Sequence, residues 1–165
     1  MLITSKEDFA AVWARITDAA EQPAQPVQPT QSAQPELSDL LRTLLRAAET
    51  AGAQYARLAA ACPLRQSGPA LRQMAGEARE HQARLRAALF LLDGDSTPPT
   101  AAVPPAASVL ETLRDACLRA RAAADLYKQA AGAADLATAG LLFRLGGESA
   151  RQAERLETML SRLLQ

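Results

Sequence analysis

The chain has 165 residues, and its 18 Lys and Arg balance 18 Asp and Glu, for a formal net charge of zero. That balance argues against a sequence-independent grip on nucleic acid, which needs a basic surplus. The length suits one domain with room for an appendage. Aromatic residues make up only 4%, so the core must come from Leu and Ala, and Ala-lined helices can approach toward the lower end of the ~8–10 Å interaxial range. No apolar run is long enough to span a membrane, and residues 1–8 lack the apolar stretch of a secretory signal. Cys62 and Cys117 have no metal-ligand spacing and read as reduced thiols of a cytoplasmic protein.

In chain order, residues 5–21 predict a short amphipathic helix. Ser5 and Asp8 resemble a capping box, and Phe9, Val12, Trp13 and Ile16 form one apolar stripe. Such a helix is marginal alone and needs something to dock on: the domain, a second copy of the chain or another protein. Its polar face lacks the Lys and Arg of a membrane-surface helix. Residues 22–35 interleave Pro with Gln and read as a solvated, polyproline-like tether, a plain spacer rather than a ligand for a proline-reading domain. Extended at about 3.1 Å per residue, it reaches on the order of 40 Å.

Residues 36–165 carry four helical patterns. The first, 36–61, has the stripe Leu37, Leu41, Leu44, Ala48, Ala51, Tyr55 and Leu58. The second, 71–92, steps by threes and fours through Leu71, Met74, Ala78, His81, Leu85, Ala88 and Leu92, so the only histidine of the chain lies on a face that should be buried. Asp93-Gly94-Asp95 reads as its stop rather than as a calcium loop, which needs further spaced ligands. Ser108 and Glu111 form a capping box opening the third, with the stripe Leu110, Leu113, Cys117, Ala120, Ala124 and Tyr127. The fourth, about 136–164, has Leu142, Leu145, Ser149, Gln152, Leu156, Met159 and Leu163. Glu77, Glu80 and Arg84 read as a solvated face with i, i+4 pairs.

Four such helices predict an all-α four-helix bundle. Helices 1 and 2, and helices 3 and 4, are joined by short turns and should form antiparallel hairpins. The proline-rich connection of about fifteen residues that contains 96–108 spans on the order of 45 Å when extended, longer than a helix of about 36 Å. It therefore predicts a long crossover between helices 2 and 3. The halves also align without gaps. Leu71-Arg72-Gln73-Met74 onward matches Leu142-Phe143-Arg144-Leu145 onward, pairing Gly76 with Gly147, Glu77 with Glu148, Arg84 with Arg155 and Leu85 with Leu156, while Tyr55 matches Tyr127 at nearly the same offset, one residue different.

Tyr55 after LLRAAETAGAQ, MAGEAREHQARL, Tyr127 after LRARAAAD, and LGGESARQAERL together resemble the ferritin-like superfamily, and within it small rubrerythrin-like proteins. The resemblance covers residues 36–165. It implies a core built for a di-iron or di-manganese pair, with a Glu seven residues before each Tyr on helices 1 and 3 and a Glu-x-x-His on helices 2 and 4. Carried over position by position, Ala48, Ala78 and Ala120 stand where carboxylates belong, and Ser149 and Gln152 replace the last Glu and His; only His81 remains. A lone imidazole cannot hold two hard cations. Glu49, Glu77 and Glu148 each lie one position from a ligand slot, but bringing them inward takes about 100° of rotation, which would turn Leu71, Met74 and Leu85 out of the core.

The expectation is thus a ferritin-like bundle without a di-metal site, catalytic residues or a cofactor. Its centre should hold a polar cluster of His81, Ser149, Gln152, Tyr55 and Tyr127, with His81 bonded to Gln152, Ser149 or a Tyr hydroxyl. The role expected is interaction or scaffolding, through the N-terminal helix or a bundle face, with a second copy or a protein partner and with neither nucleic acid nor membrane. The alternative is a rubrerythrin-like redox or iron-handling protein with an altered site. A small-molecule pocket between Ala48, Ala78, Ala120, His81 and Gln152 is a third reading.

Overall fold

The structure is a computed structural model, and it describes residues 33–63, 66–94 and 108–165. The expected N-terminal helix, most of the tether and most of the proline-rich crossover segment lie outside the described residues. Within them are four helices: α1 (Ala33–Ala61), α2 (Ser67–Asp93), α3 (Val109–Ala133) and α4 (Leu136–Leu163). There is no strand among the described residues.

The local signals act where expected. Ser108 accepts from the Glu111 amide while the Glu111 carboxylate accepts from the Ser108 amide, a reciprocal box that fixes the start of α3. Asp135 caps α4 by accepting from the amides of Ala137 and Thr138. Gly94 ends α2 at φ 71°, a left-handed conformation that glycine adopts without penalty, and its amide reaches Phe90 O. Asp93 beside it bonds Ser38 and pairs with Arg42 at 2.8 Å, tying the end of α2 to the start of α1. α1 begins at Ala33, earlier than the pattern predicts, so the tether's last proline, Pro35, sits in a first turn. The amide that proline lacks has no helical partner there in any case.

Two clusters of buried residues set the topology. One joins Tyr55 and Leu58 near the end of α1 to Leu71 and Met74 near the start of α2, Leu113 and Cys117 near the start of α3, and Leu156 and Met159 near the end of α4. The other joins Leu41 and Leu44 of α1 to Leu85 and Leu89 of α2, Tyr127 and Ala130 of α3, and Leu142 and Leu145 of α4. Hence α2 and α3 start at the same end and run parallel, while α1 and α4 run the other way. α1 packs side by side with α2 and α3, and α4 with α3 and α2; α1 and α4, and likewise α2 and α3, lie across the bundle from each other and meet through side chains. The helices consecutive across the proline-rich segment are therefore diagonal, with Gly94 and Ser108 at opposite ends of the bundle. The α2/α4 seam is the loosest of the four, which matters for the site below.

The core is Leu and Ala, as the composition requires: Leu44, Leu45, Leu71, Leu85, Leu113, Leu142, Leu145 and Leu156 are fully buried. Each contributes roughly 1.5–3 kcal/mol of transfer free energy. Leu110 departs from its expected stripe and is 43% exposed. It lies about 80° around the helix from Ala120, off the face that packs; Thr112 and Leu113 take up the burial instead.

Glycines in the repeated segment give a paired prediction. A Cβ on Gly146 would stand 3.0 Å from Tyr127 Cβ and 3.5 Å from Ala124 O, whereas one on Gly76 meets nothing within 4 Å. Gly76→Ala should stabilise by up to about 1 kcal/mol through helix propensity. Gly146→Ala should destabilise despite the same propensity gain, because α3 must move away. Urea midpoints of the two variants check this.

The Asp135 carboxyl is held below its ordinary range by its bonds to Thr138, first from the hydroxyl and then from the amide. A depressed folded value means this stabilisation is full above the unfolded aspartate value of about 4. It is lost as pH falls through the lower folded value. Asp135→Asn keeps an acceptor at the cap and should flatten that part of the acid limb in denaturant melts taken against pH.

Candidate functional site

The site lies at mid-height in the bundle, where the two core clusters meet. His81 is 3% exposed and projects from α2 toward α3 and α4. Its Nε2 lies 2.9 Å from Glu148 Oε2, and its Nδ1 lies 3.2 Å from the Tyr127 hydroxyl. The two rings meet edge to face, 5.8 Å apart at 84°. An ionised carboxylate only accepts, so Nε2 carries the proton toward Glu148. In the neutral ring Nδ1 then accepts from the Tyr127 hydroxyl.

The corresponding residues of the other half repeat the arrangement. The Tyr55 hydroxyl donates to Gln152 Oε1 at 3.3 Å, and Gln152 Nε2 donates to Glu77 Oε2 at 2.9 Å. A glutamine amide accepts at one end and donates at the other, the roles a neutral imidazole plays. The centre is therefore two crossed relays related by the pseudo-twofold of the duplication: Tyr127–His81–Glu148 and Tyr55–Gln152–Glu77. Each starts at a phenol on α1 or α3, passes through the opposite half's α2 or α4, and ends at a carboxylate on the open α2/α4 seam. The Glu77 and Glu148 side chains are each 26% exposed, so the carboxylates keep part of their hydration. Gln73 donates to Glu77 Oε1 at 2.9 Å, and Arg155 lies 3.5 Å from the same oxygen.

The geometry revises several expectations. His81, Tyr55, Tyr127, Gln152 and Ser149 line one central cavity, and of the three partners expected for His81 it bonds a Tyr hydroxyl, that of Tyr127, rather than Gln152 or Ser149. Its second partner is Glu148, which the sequence places off the stripe. Glu77 is not simply part of a solvated face; it reaches in beneath Gln152, while Glu80 does pair with Arg84 at i, i+4. Glu49 turns toward Arg86 at 2.9 Å rather than toward the centre. Ala48, Ala78 and Ala120 are buried. Burial pushes the Cys117 thiol up and its Sγ donates to Ala153 O at 3.6 Å, so it lacks the depressed ionisation of a reactive cysteine. Cys62 is half-buried at the end of α1. The available signal for Glu77 and Glu148 was their place in the repeat, each four residues before His81 or Gln152.

Both phenols are pushed well above their ordinary value, first by burial and then by the negative charge of Glu77 on Tyr55 and of Glu148 on Tyr127. They act as protonated donors across the neutral range.

Between the relays and the α1/α3 seam lies a cavity of about 30 Å³. Its wall is formed by Ala47, Ala48, Ala51, Ala78, Ala120, Ala123 and Leu44, with Tyr55, Tyr127, His81, Ser149, Gln152 and Arg119. It occupies the place given to the third reading of the sequence. On the α2/α4 side, Glu77, Glu80, Glu148, Arg151 and Arg155 line an open surface groove. Among the described residues no three His, Cys, Asp or Glu side chains converge on a point where a metal ion would sit, and no helix is long and apolar enough to cross a membrane. No family model matches the chain, and no curated protein or solved structure matches it.

Proposed function

We propose that this chain is a ferritin-like bundle whose centre has exchanged a paired-metal site for a closed hydrogen-bond network, and that it works by binding rather than by redox chemistry. The diagonal placement of α2 and α3 and the duplicated hairpins support the ferritin-like reading. The observation that carries the functional one is the partnering of the nearest carboxylates. Glu148 is engaged by His81 and Glu77 by Gln152, from opposite halves, and the inward positions between them are Ala48, Ala78, Ala120 and Ser149. A metal pair needs carboxylates that bridge it, and the donor set here does not fit one. Its contact surface would be the N-terminal amphipathic segment or a bundle face, engaging a second copy or another protein.

Equilibrating the full chain with ferrous iron, manganese or zinc under reducing conditions, followed by elemental analysis, tests this. Well under one ion per chain is expected. Stoichiometric metal that His81→Ala abolishes would return the rubrerythrin-like alternative, a redox or iron-handling protein with an altered site.

A further inference from the structure

We infer that the central cavity is a binding site for a small, uncharged solute that both donates and accepts hydrogen bonds. A volume of about 30 Å³ holds roughly two water-sized centres, so the ligand has two or three non-hydrogen atoms. Aromatic or cofactor-sized molecules are excluded, since an engineered cavity that takes benzene is about 150 Å³.

The wall chemistry selects the class. Tyr55 spends its proton on Gln152, and Tyr127 spends its proton on His81 Nδ1 when His81 donates through Nε2 to Glu148. Both phenol oxygens keep lone pairs that accept. Ser149 lines the cavity, is 4% exposed, and forms no hydrogen bond among the described residues. That hydroxyl is therefore available to a ligand or water in the cavity. The site therefore offers two acceptors and one hydroxyl free to donate, the complement of a small primary amide, with two N–H groups and one carbonyl.

Charge is disfavoured in either sign. The wall has no carboxylate to hold a cation, and its phenol lone pairs face an anion unfavourably. Its one cation, Arg119, is exposed and remains hydrated by bulk water. An ion stripped of water without a buried counter-charge pays heavily. The half-buried alanines Ala47, Ala51 and Ala123 place the mouth at the α1/α3 seam.

Formamide is the probe, and formate is its control of nearly the same shape and size but opposite hydrogen-bonding and charge. The full chain, labelled with nitrogen-15, is titrated with each while backbone amides are followed by NMR. Formamide should give saturating shifts around Ser149, Tyr55 and Tyr127 with a dissociation constant on the order of millimolar, near the ceiling for so few atoms. Ser149→Ala should weaken it roughly five-fold, the worth of one net hydrogen bond; Ala already stands at the corresponding Ala78, so this variant should fold. Ala120→Val, which fills the space, should abolish it. Shifts that never saturate, an unchanged dissociation constant in Ser149→Ala, or formate binding as tightly as formamide would each overturn the inference.

Discussion

Tyr127→Ala should destabilise the bundle by about 3–5 kcal/mol, the range for removing a buried aromatic side chain. Tyr127 is 1% exposed and sits where α3 presses against Gly146 of α4 and the edge of His81. The chain is held there by close backbone approach, so the neighbours have little freedom to collapse into the space. The new void would also merge with the existing cavity, which adds to the penalty for residual volume. Against a total stability of about 5–15 kcal/mol the loss is severe. Tyr127→Phe isolates the hydroxyl and should cost nearer 1 kcal/mol, with part of that returned by relief of its desolvation. The phenylalanine variant also has an alkaline signature. A phenol whose folded value is raised stabilises fully below the unfolded value of about 10 and progressively less as pH rises toward the folded value. Denaturant midpoints above that pH should therefore fall more gently in Tyr127→Phe than in the parent, and more gently still when Tyr55→Phe is added.

The second large effect separates the two ways of replacing the histidine. His81→Leu should cost about 2 kcal/mol, because the buried Tyr127 hydroxyl loses its acceptor, while Glu148 is open enough for water to take over. His81→Gln should cost well under 1 kcal/mol. The basis is Gln152, which bridges a phenol and a carboxylate in the other half with the same polarity. Thermal melts of the two variants decide it. If His81→Gln melts as low as His81→Leu, the equivalence of the two relays fails and His81 has a role the amide cannot fill.

What the sequence made legible follows from which forces are local. The apolar stripes of α1, α2 and α4 are set by helical periodicity, and the burial of Leu41, Leu71 and Leu142 follows it. The diagonal arrangement was legible from the length and proline content of the segment between α2 and α3, because only a long connection can return to the starting end. Leu110 is exposed because it lies about 80° from Ala120, off the packed face, and steps of three and four do not mark how wide that face is. Glu77 and Glu148 were the larger miss. Each sits about 100° from the core stripe, a direction that reads as solvent on an isolated helix. It becomes an inward seam only when a second helix stands beside it, and that neighbour is fixed by tertiary packing. The duplication held the missing information, since a carboxylate at the same place in both halves points to one shared environment.

The claim on which the account rests is that the centre of the bundle is bridged by side-chain hydrogen bonds and not by cations. Anomalous X-ray scattering at the iron, manganese and zinc edges, from crystals of the full chain grown with each metal, tests it directly. The account predicts no anomalous peak among His81, Ser149, Gln152, Glu77 and Glu148. It also predicts density for the two crossed relays. A strong peak there, held by His81 together with Glu77 and Glu148 turned inward, would contradict it.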